Sequence, residues 1–391
     1  PMHPRDHEPP SRTVAGGASA MLLATQVDPG VNHRTLREGY LTQPMLHGHA
    51  SLLRGLVAMQ GMVNFEGATL ARGELAPGAY GEGYADRRHP HTWLHEAVLT
   101  LSTPERLGAA ASLSGGKGFA PFGTDDPMVR PIARFPVNHH LSQILERGVI
   151  VGAARWRPLA FEYGIFNGDE PESPTDAPNA SHFGDSWAAR VTLRPLDGFE
   201  LQGSTARVES PEAPSGHGFD HHKRSASLRG LRSTPVGDVY LLAEWATTNL
   251  FNRGRKAFHL STSLVEASLD RGALRAALRF ERTLRPEEER LQNPFRTPYP
   301  TAEVQILGTT RFDVATASVG GTWRVRGVTL APFVEGSLVR AHASVLPAVF
   351  VPEQFYGAPR IIALSLGVRM AVGAPHHRVG RYGVAAEAPA H

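Results

Sequence analysis

Cysteine is missing from all 391 residues. Disulfide frameworks, thiol nucleophiles and thiolate metal sites are thereby excluded. The absence also suits a chain exported through an oxidising compartment. Lysine is nearly missing too: only Lys117, Lys223 and Lys256 occur, so arginine carries almost all the positive charge. The formal net charge is +3, small for this length, and argues against a nucleic-acid binder, which gathers its charge on one face. No run of 18 apolar residues is present, so the chain encodes no transmembrane helix. It also lacks a Gly-x-Ser-x-Gly elbow, a His-Glu-x-x-His pair and a Gly-Lys-Ser/Thr phosphate cradle.

What the chain does contain is alternation. Along 361–373, Ile362, Leu364, Leu366, Val368, Met370 and Val372 form one row, and Ala363, Ser365, Gly367, Arg369 and Ala371 the other. Trp187, Ala189, Val191 and Leu193 alternate in the same way with Ala188, Arg190, Thr192 and Arg194. Leu274, Ala276, Leu278 and Phe280 alternate with Arg275, Ala277, Arg279 and Glu281. A period of two is that of a strand with two unlike faces. In a membrane barrel the apolar row meets lipid and the other row meets the lumen.

The links between these segments alternate in length. Short turns are expected at Arg157 and Pro158, Leu196 and Asp197, 233–236, Asp270 and Arg271, and 324–326. Long polar links are expected at 168–184, 210–221, 249–255, 284–305 and 342–360. Tight periplasmic turns and long outer loops are the pattern of an outer-membrane barrel. Counting back from the last strand places 103–107 at the periplasmic end and 67–91 and 119–146 at the outer end. The first 66 residues then supply three strands, near 17–27, 45–53 and 56–66. The expectation is an all-β fold: a closed antiparallel transmembrane β-barrel of about 16 strands, with 14 as the alternative. Residues 1–16 read as a disordered leader, 17–373 as the barrel and 374–391 as a tail. The chain opens Pro1-Met2-His3, which reads as a signal peptide removed or a chain trimmed. The last clean strand ends near Gly373. The tail then either supplies a further short pairing through Tyr382 or forms a periplasmic extension.

The segment 115–146, GGKGFAPFGTDDPMVRPIARFPVNHHLSQILE, does not alternate. Loops this long without secondary structure are uncommon and usually functional. Residues 119–146 are therefore expected to fold into the lumen, with Asp125, Asp126, Arg130 and Arg134 at a constriction that sets ion preference or as an internal salt-bridge network. The lumen-row arginines Arg190, Arg194, Arg275, Arg279 and Arg369 would favour anions unless Glu162, Glu200, Glu244 and Glu281 neutralise them.

Two histidine clusters are candidate metal ligands: His89 and His91, flanking Pro90, and the pair His139 and His140. Imidazole suits copper or zinc, although the spacing matches no established zinc motif, and pinning the loops through backbone carbonyls is the structural alternative. Ser227, His259 and Asp270 form a triad only on paper, so no catalytic residue is assigned and the chain reads as a non-enzyme.

The motifs DRRHPH at 86–91, PFGTDDPM at 121–128, PVNHHLSQ at 136–143, FNGDEPE at 166–172, DSWAAR at 185–190, VESPE at 208–212 and RPEEER at 285–290 span most of the chain. On these the sequence resembles a porin-like outer-membrane β-barrel family of unassigned activity. Genes of that family often accompany copper and other heavy-metal handling systems. The resemblance implies a barrel in the bacterial outer membrane and a link to metals, with no substrate or catalytic residue to carry over. The expected function is passive passage of small polar or ionic solutes. The first alternative is an occluded barrel that binds a metal ion or a protein partner through its histidines. The second is an outer-membrane hydrolase. Expected partners are membrane lipid and the solutes themselves, with a partner protein or a homo-oligomer as further options and no nucleic acid.

Overall fold

A computed structural model of the chain describes residues 12–28, 35–69, 92–124, 127–137, 143–171, 173–211, 218–288, 306–343, 351, 353, 358–375 and 378–386. The first strands are β1 (Arg12–Asp28), β2 (Leu36–Leu52), β3 (Val57–Asn64), β4 (Leu94–Ser102), β5 (Ala109–Gly118) and β6 (Arg147–Trp156). They are followed by β7 (Leu159–Phe166), β8 (Ser186–Leu196), β9 (Phe199–Val208), β10 (Asp220–Thr234), β11 (Gly237–Asn252) and β12 (Arg255–Arg271). The last are β13 (Leu274–Glu288), β14 (Ile306–Gly321), β15 (Trp323–Val325), β16 (Val328–Ala343) and β17 (Arg360–Gly373). Each pairs antiparallel with its neighbours in chain order, and β14 and β15 form one stave interrupted at Thr322, since both pair with β16. The sixteen staves close on themselves because β1 pairs with β2 on one side and with β17 on the other. Closure leaves no sheet edge, which in lipid would present unpaired backbone groups.

The alternation read from sequence is the division between the two faces. On β17, Ile361, Ala363 and Ser365 are buried in the interior, whereas Ile362, Leu364 and Leu366 are 53 to 62% exposed on the outside. β13 is a strand and not a helix: Leu274, Leu278 and Phe280 point out, and Ala277, Arg279 and Glu281 point in. An apolar outer row is stable only against hydrocarbon, so the barrel is a transmembrane one.

One end of the barrel carries tight turns: Arg157 and Pro158, Asp197 and Gly198, Pro235 and Val236, Gly272 and Ala273, Arg326 and Gly327. The opposite end carries the long links, with one exception. The stretch 249–255, expected as a long link, is mostly strand. β11 runs to Asn252, β12 starts at Arg255, and the connection is Arg253 (φ 48°) and Gly254 (φ 76°) alone. Two successive positive φ values make the tight hairpin turn whose twist matches its strands. The polar residues that suggested a loop are the ends of two strands that rise above the membrane belt.

At the other extreme, β1 starts at Arg12, inside the stretch read as a leader, because its backbone pairs from Arg12 opposite Leu52 onward. Residues 1–11 lie outside the described residues. β2 is longer than the 45–53 expected from sequence; its half toward the long-link end pairs with β1 from Leu36.

Sidedness predicts unequal costs on β17. Leu366→Arg, on the lipid row, should lower stability by about 2–4 kcal/mol. Ser365→Ala, which removes only the inward hydrogen bond to Thr25 Oγ1 (2.8 Å), should cost about 1 kcal/mol. Urea unfolding in lipid vesicles measures both, and equal losses would contradict the assignment of faces.

Candidate functional site: a lumen crossed by a loop and lined by a tail

The described residues of the link between β5 and β6 fold inward, and their backbone explains why. An irregular segment buried in a barrel must find hydrogen-bond partners for its N–H and C=O groups. Here the inward side chains of the wall provide them. Gly123 N–H donates to Ser204 Oγ on β9 (3.1 Å), and Thr124 Oγ1 donates to Ser227 Oγ on β10 (2.6 Å). On the far side, Glu335 of β16 accepts from the N–H groups of Ala133 (3.0 Å) and Arg134 (2.9 Å). Glu281 of β13 accepts from Val137 N–H (3.1 Å), and Arg279 and Arg285 donate to the carbonyls of Phe135 and Val137 (both 3.1 Å). Arg369 of β17 donates to Arg130 O (2.9 Å). The segment therefore crosses from the β5–β6 wall to β17. It returns through Gln143, whose carbonyl accepts from Lys223 Nζ (3.3 Å). The base of the return is fixed at Glu146, which accepts from Thr92 N–H (2.9 Å) and lies 2.6 Å from His95 Nδ1.

Of the constriction residues named from sequence, Arg130 and Arg134 are fully buried in the lumen, and Arg130 forms an ion pair with Glu244 of β11 at 3.2 Å. Asp125 and Asp126 lie outside the described residues, as do His89, His91, His139 and His140. Among the described residues no group of three His, Asp or Glu is placed to hold a metal ion. The paper triad does not assemble. Ser227 faces the lumen against Thr124, His259 is exposed beside Asn249, and Asp270 pairs with Arg275. The acidic motif at 166–172 is structural where described: Asn167 Nδ2 donates to Asp169, and Asp185 accepts from Gly168 N–H (2.8 Å). Burial raises the Asp185 pKa above the ordinary carboxylate value.

The five lumen-row arginines all point inward and all are engaged. Arg190 grips Glu162 with two bonds of 2.6 Å, Arg194 meets Glu200 at 3.2 Å, and Arg279 meets Glu266 at 3.2 Å. Arg275 is held by Asp270, and Arg369 by the loop carbonyl. The wall is a mosaic of paired charges and not a bare cationic surface.

The part that sequence reasoning missed is the tail. Its described residues neither add a strand nor extend away from the barrel. After Gly373 (φ 81°), Ala374 N–H bonds Gly16 O (2.9 Å), and residues 378–386 lie inside the lumen against β4–β9. Arg378 makes two bonds of 3.0 Å to Glu200, and Arg381 bonds Glu200 and Thr192 (3.0 Å each) as well as Gln202. Tyr382 Oη donates to Glu96 (2.8 Å) and accepts from Phe119 N–H (2.9 Å), so it locks the tail to the start of the crossing loop. Burial and the adjacent Glu96 raise the phenol pKa well above its usual value, which keeps it a neutral donor. Arg190 joins all three parts: beside its wall partner it donates to Gly380 O in the tail (2.6 Å) and to Gly123 O in the loop (3.3 Å). The sequence offers only a compositional trace, two arginines and a tyrosine within 378–382 after the last strand, which does not say where the segment goes.

No protein-family model matches the chain, and no curated protein matches it in sequence. Solved structures do match in shape. The anion-selective porin from Comamonas acidovorans superposes with a TM-score of 0.54 at 9% identity, over 93% of this chain and 100% of that one. The barrel has the porin fold. The trimer form of OmpT, an outer membrane protein of Vibrio cholerae, matches with a TM-score of 0.52 at 7% identity, again over 93% of this chain and 100% of the other. At these identities the porin fold is what is shared, and the lumen contacts above belong to this sequence.

Glu335 should act as the anchor of the crossing loop. Glu335→Ala leaves two buried amide donors without their acceptor, at a cost of about 1–3 kcal/mol. Hydrogen exchange at 127–137 should accelerate while β16 amides stay protected. Unchanged exchange in the loop would refute the anchoring role.

Proposed function

We propose that the protein is an outer-membrane, porin-like channel for small polar or ionic solutes, narrowed by residues 119–146 and closed further by its own tail. The observation that carries the reading is the crossing loop itself, tied by side chains of β9, β10, β11, β13, β16 and β17 across the lumen. A barrel built only as a scaffold could fill its interior with hydrocarbon. This one sets paired charges and hydroxyls around an irregular loop, the lining that carries ions past a constriction. The pairing of lumen arginines with glutamates argues for weak ion preference and not for strong anion selection.

The depth of burial favours a second reading. Arg130, Arg190 and Arg279 are each about 1% exposed, which describes an occluded lumen. An occluded barrel that binds a metal or a partner would suit such packing. Its metal ligands of choice, His89, His91, His139 and His140, lie outside the described residues. A hydrolase gains no support, since its only candidate side chains are far apart in the barrel.

Planar-bilayer recording separates the readings. The full chain should give small or infrequent current steps. A variant lacking 374–391 keeps the β1–β17 seam, which ends at Gly373, and should show larger and more frequent steps. Silence from both proteins, each confirmed as a folded barrel by circular dichroism, would defeat the channel reading and favour the occluded one.

A further inference from the structure

The outward face carries a feature that the lumen does not explain. Along β13–β17 the outer row is apolar through the belt: Phe280, Ala315, Leu338 and Ile362 stand side by side in register. One pleat nearer the long-link end, the next row is Arg282, Asp313, Arg340 and Arg360. Arg311 and His342 follow in the row beyond. Four arginines thus stand at the rim of the hydrocarbon belt, all exposed. Asp313 is the acidic residue within these rows of β13–β17, and Asp28 of β1 stands opposite Ile362, one pleat below Arg360. Asp313 is already committed: it lies 2.5 Å from Arg282, 3.5 Å from Arg311 and 3.9 Å from His342.

Arg340 and Arg360 are left over. They are directly opposite one another across the β16–β17 ladder. Among the described residues no carboxylate or carbonyl engages either. Like charges directly opposite on a sheet are destabilising. In lipid such side chains lie where they reach the headgroup layer. The same row continues into a groove. Outer side chains of β8–β16, among them Trp245, Val265, Phe280 and Leu338, line a concavity of about 1100 Å³ that reaches Arg282 and Arg340. Small residues, Gly203, Ala226 and Ala315, are also part of its lining.

We infer that this face holds a phosphate-bearing lipid of the leaflet at the long-link end, its phosphate between Arg340, Arg360 and Arg282 and its acyl chains in the adjoining groove. Arginine suits the task because its planar donors match phosphate oxygens two at a time. An anion there relieves the Arg340–Arg360 repulsion, and the apolar groove accepts what a free phosphate lacks. The inference concerns the lipid-facing wall and stands whether or not the lumen conducts.

Delipidated protein in neutral detergent, mixed with lipid A, with phosphatidylcholine or with inorganic phosphate, can be read by native mass spectrometry. The wild-type chain should retain lipid A in preference to phosphatidylcholine, and R340Q/R360Q should lower the retained fraction about tenfold. R324Q, an exposed arginine change at the opposite rim, should leave retention unchanged. Circular dichroism confirms that each variant is a folded barrel. Equal retention of the two lipids, or lipid A binding untouched by R340Q/R360Q, would overturn the assignment. So would inorganic phosphate bound as well as lipid A, or a change in subunit number with no change in lipid, which would make the face a contact between copies.

Discussion

The interior of this barrel depends on one arginine–carboxylate contact, between Arg190 of β8 and Glu162 of β7. Both are sealed from water, and together they form two short parallel bonds. Such a pair is stable inside a protein only when the remaining donors are also used. Arginine has five N–H groups, and here the spare ones reach the carbonyls of Gly123 and Gly380. One side chain therefore satisfies the wall, the crossing loop and the tail at once. Lysine could not do this, because it lacks the planar fork. The arginine-rich composition has a structural use in the lumen, even though three lysines remain.

The same logic extends along the lumen. A loop and a tail with no more than a short 3-10 turn each, Pro127–Val129 and Gly383–Ala385, among their described residues are buried because wall side chains replace the hydrogen bonds that water would supply. Glutamates hold backbone N–H groups, arginines hold backbone carbonyls, and the two classes also neutralise one another. The outer face is arranged in the opposite sense. It presents an almost unbroken apolar belt, then changes abruptly to arginine at one rim. The barrel is polar and paired within and apolar without, and along β13–β17 the apolar belt ends in a row rich in arginine.

Much of this was legible in the sequence, for a definite reason. A strand whose faces meet different solvents must alternate, so Ile362, Leu364 and Leu366 marked β17 without any knowledge of its partners. Turn residues marked the short-link end to within one or two positions. The stretch 249–255 misled because polar residues above a membrane belt read the same whether they are loop or protruding strand. Arg130 and Arg134 are buried in the lumen; the sequence pointed to them because a long link rich in proline and charge is uncommon and has few other uses. Glu244, the partner of Arg130, could not be chosen from sequence, since several inward glutamates were equally eligible. The placement of Arg378, Arg381 and Tyr382 was illegible for a related reason: no periodicity distinguishes a tail in solution from one folded back into a cavity.

The sequence by itself determined the local rule, namely which side chains face lipid, which face inward and where the chain reverses, because each follows from neighbours a few residues apart. Tertiary structure alone decided which inward charges meet, that the tail enters the lumen, and that Arg340 comes to lie opposite Arg360. The first two outcomes depend on closure of sixteen staves into a ring, and the third on the register that β16 and β17 adopt across a long link. Closure brings together residues as far apart as Phe119 and Tyr382, and no short-range pattern encodes such a meeting.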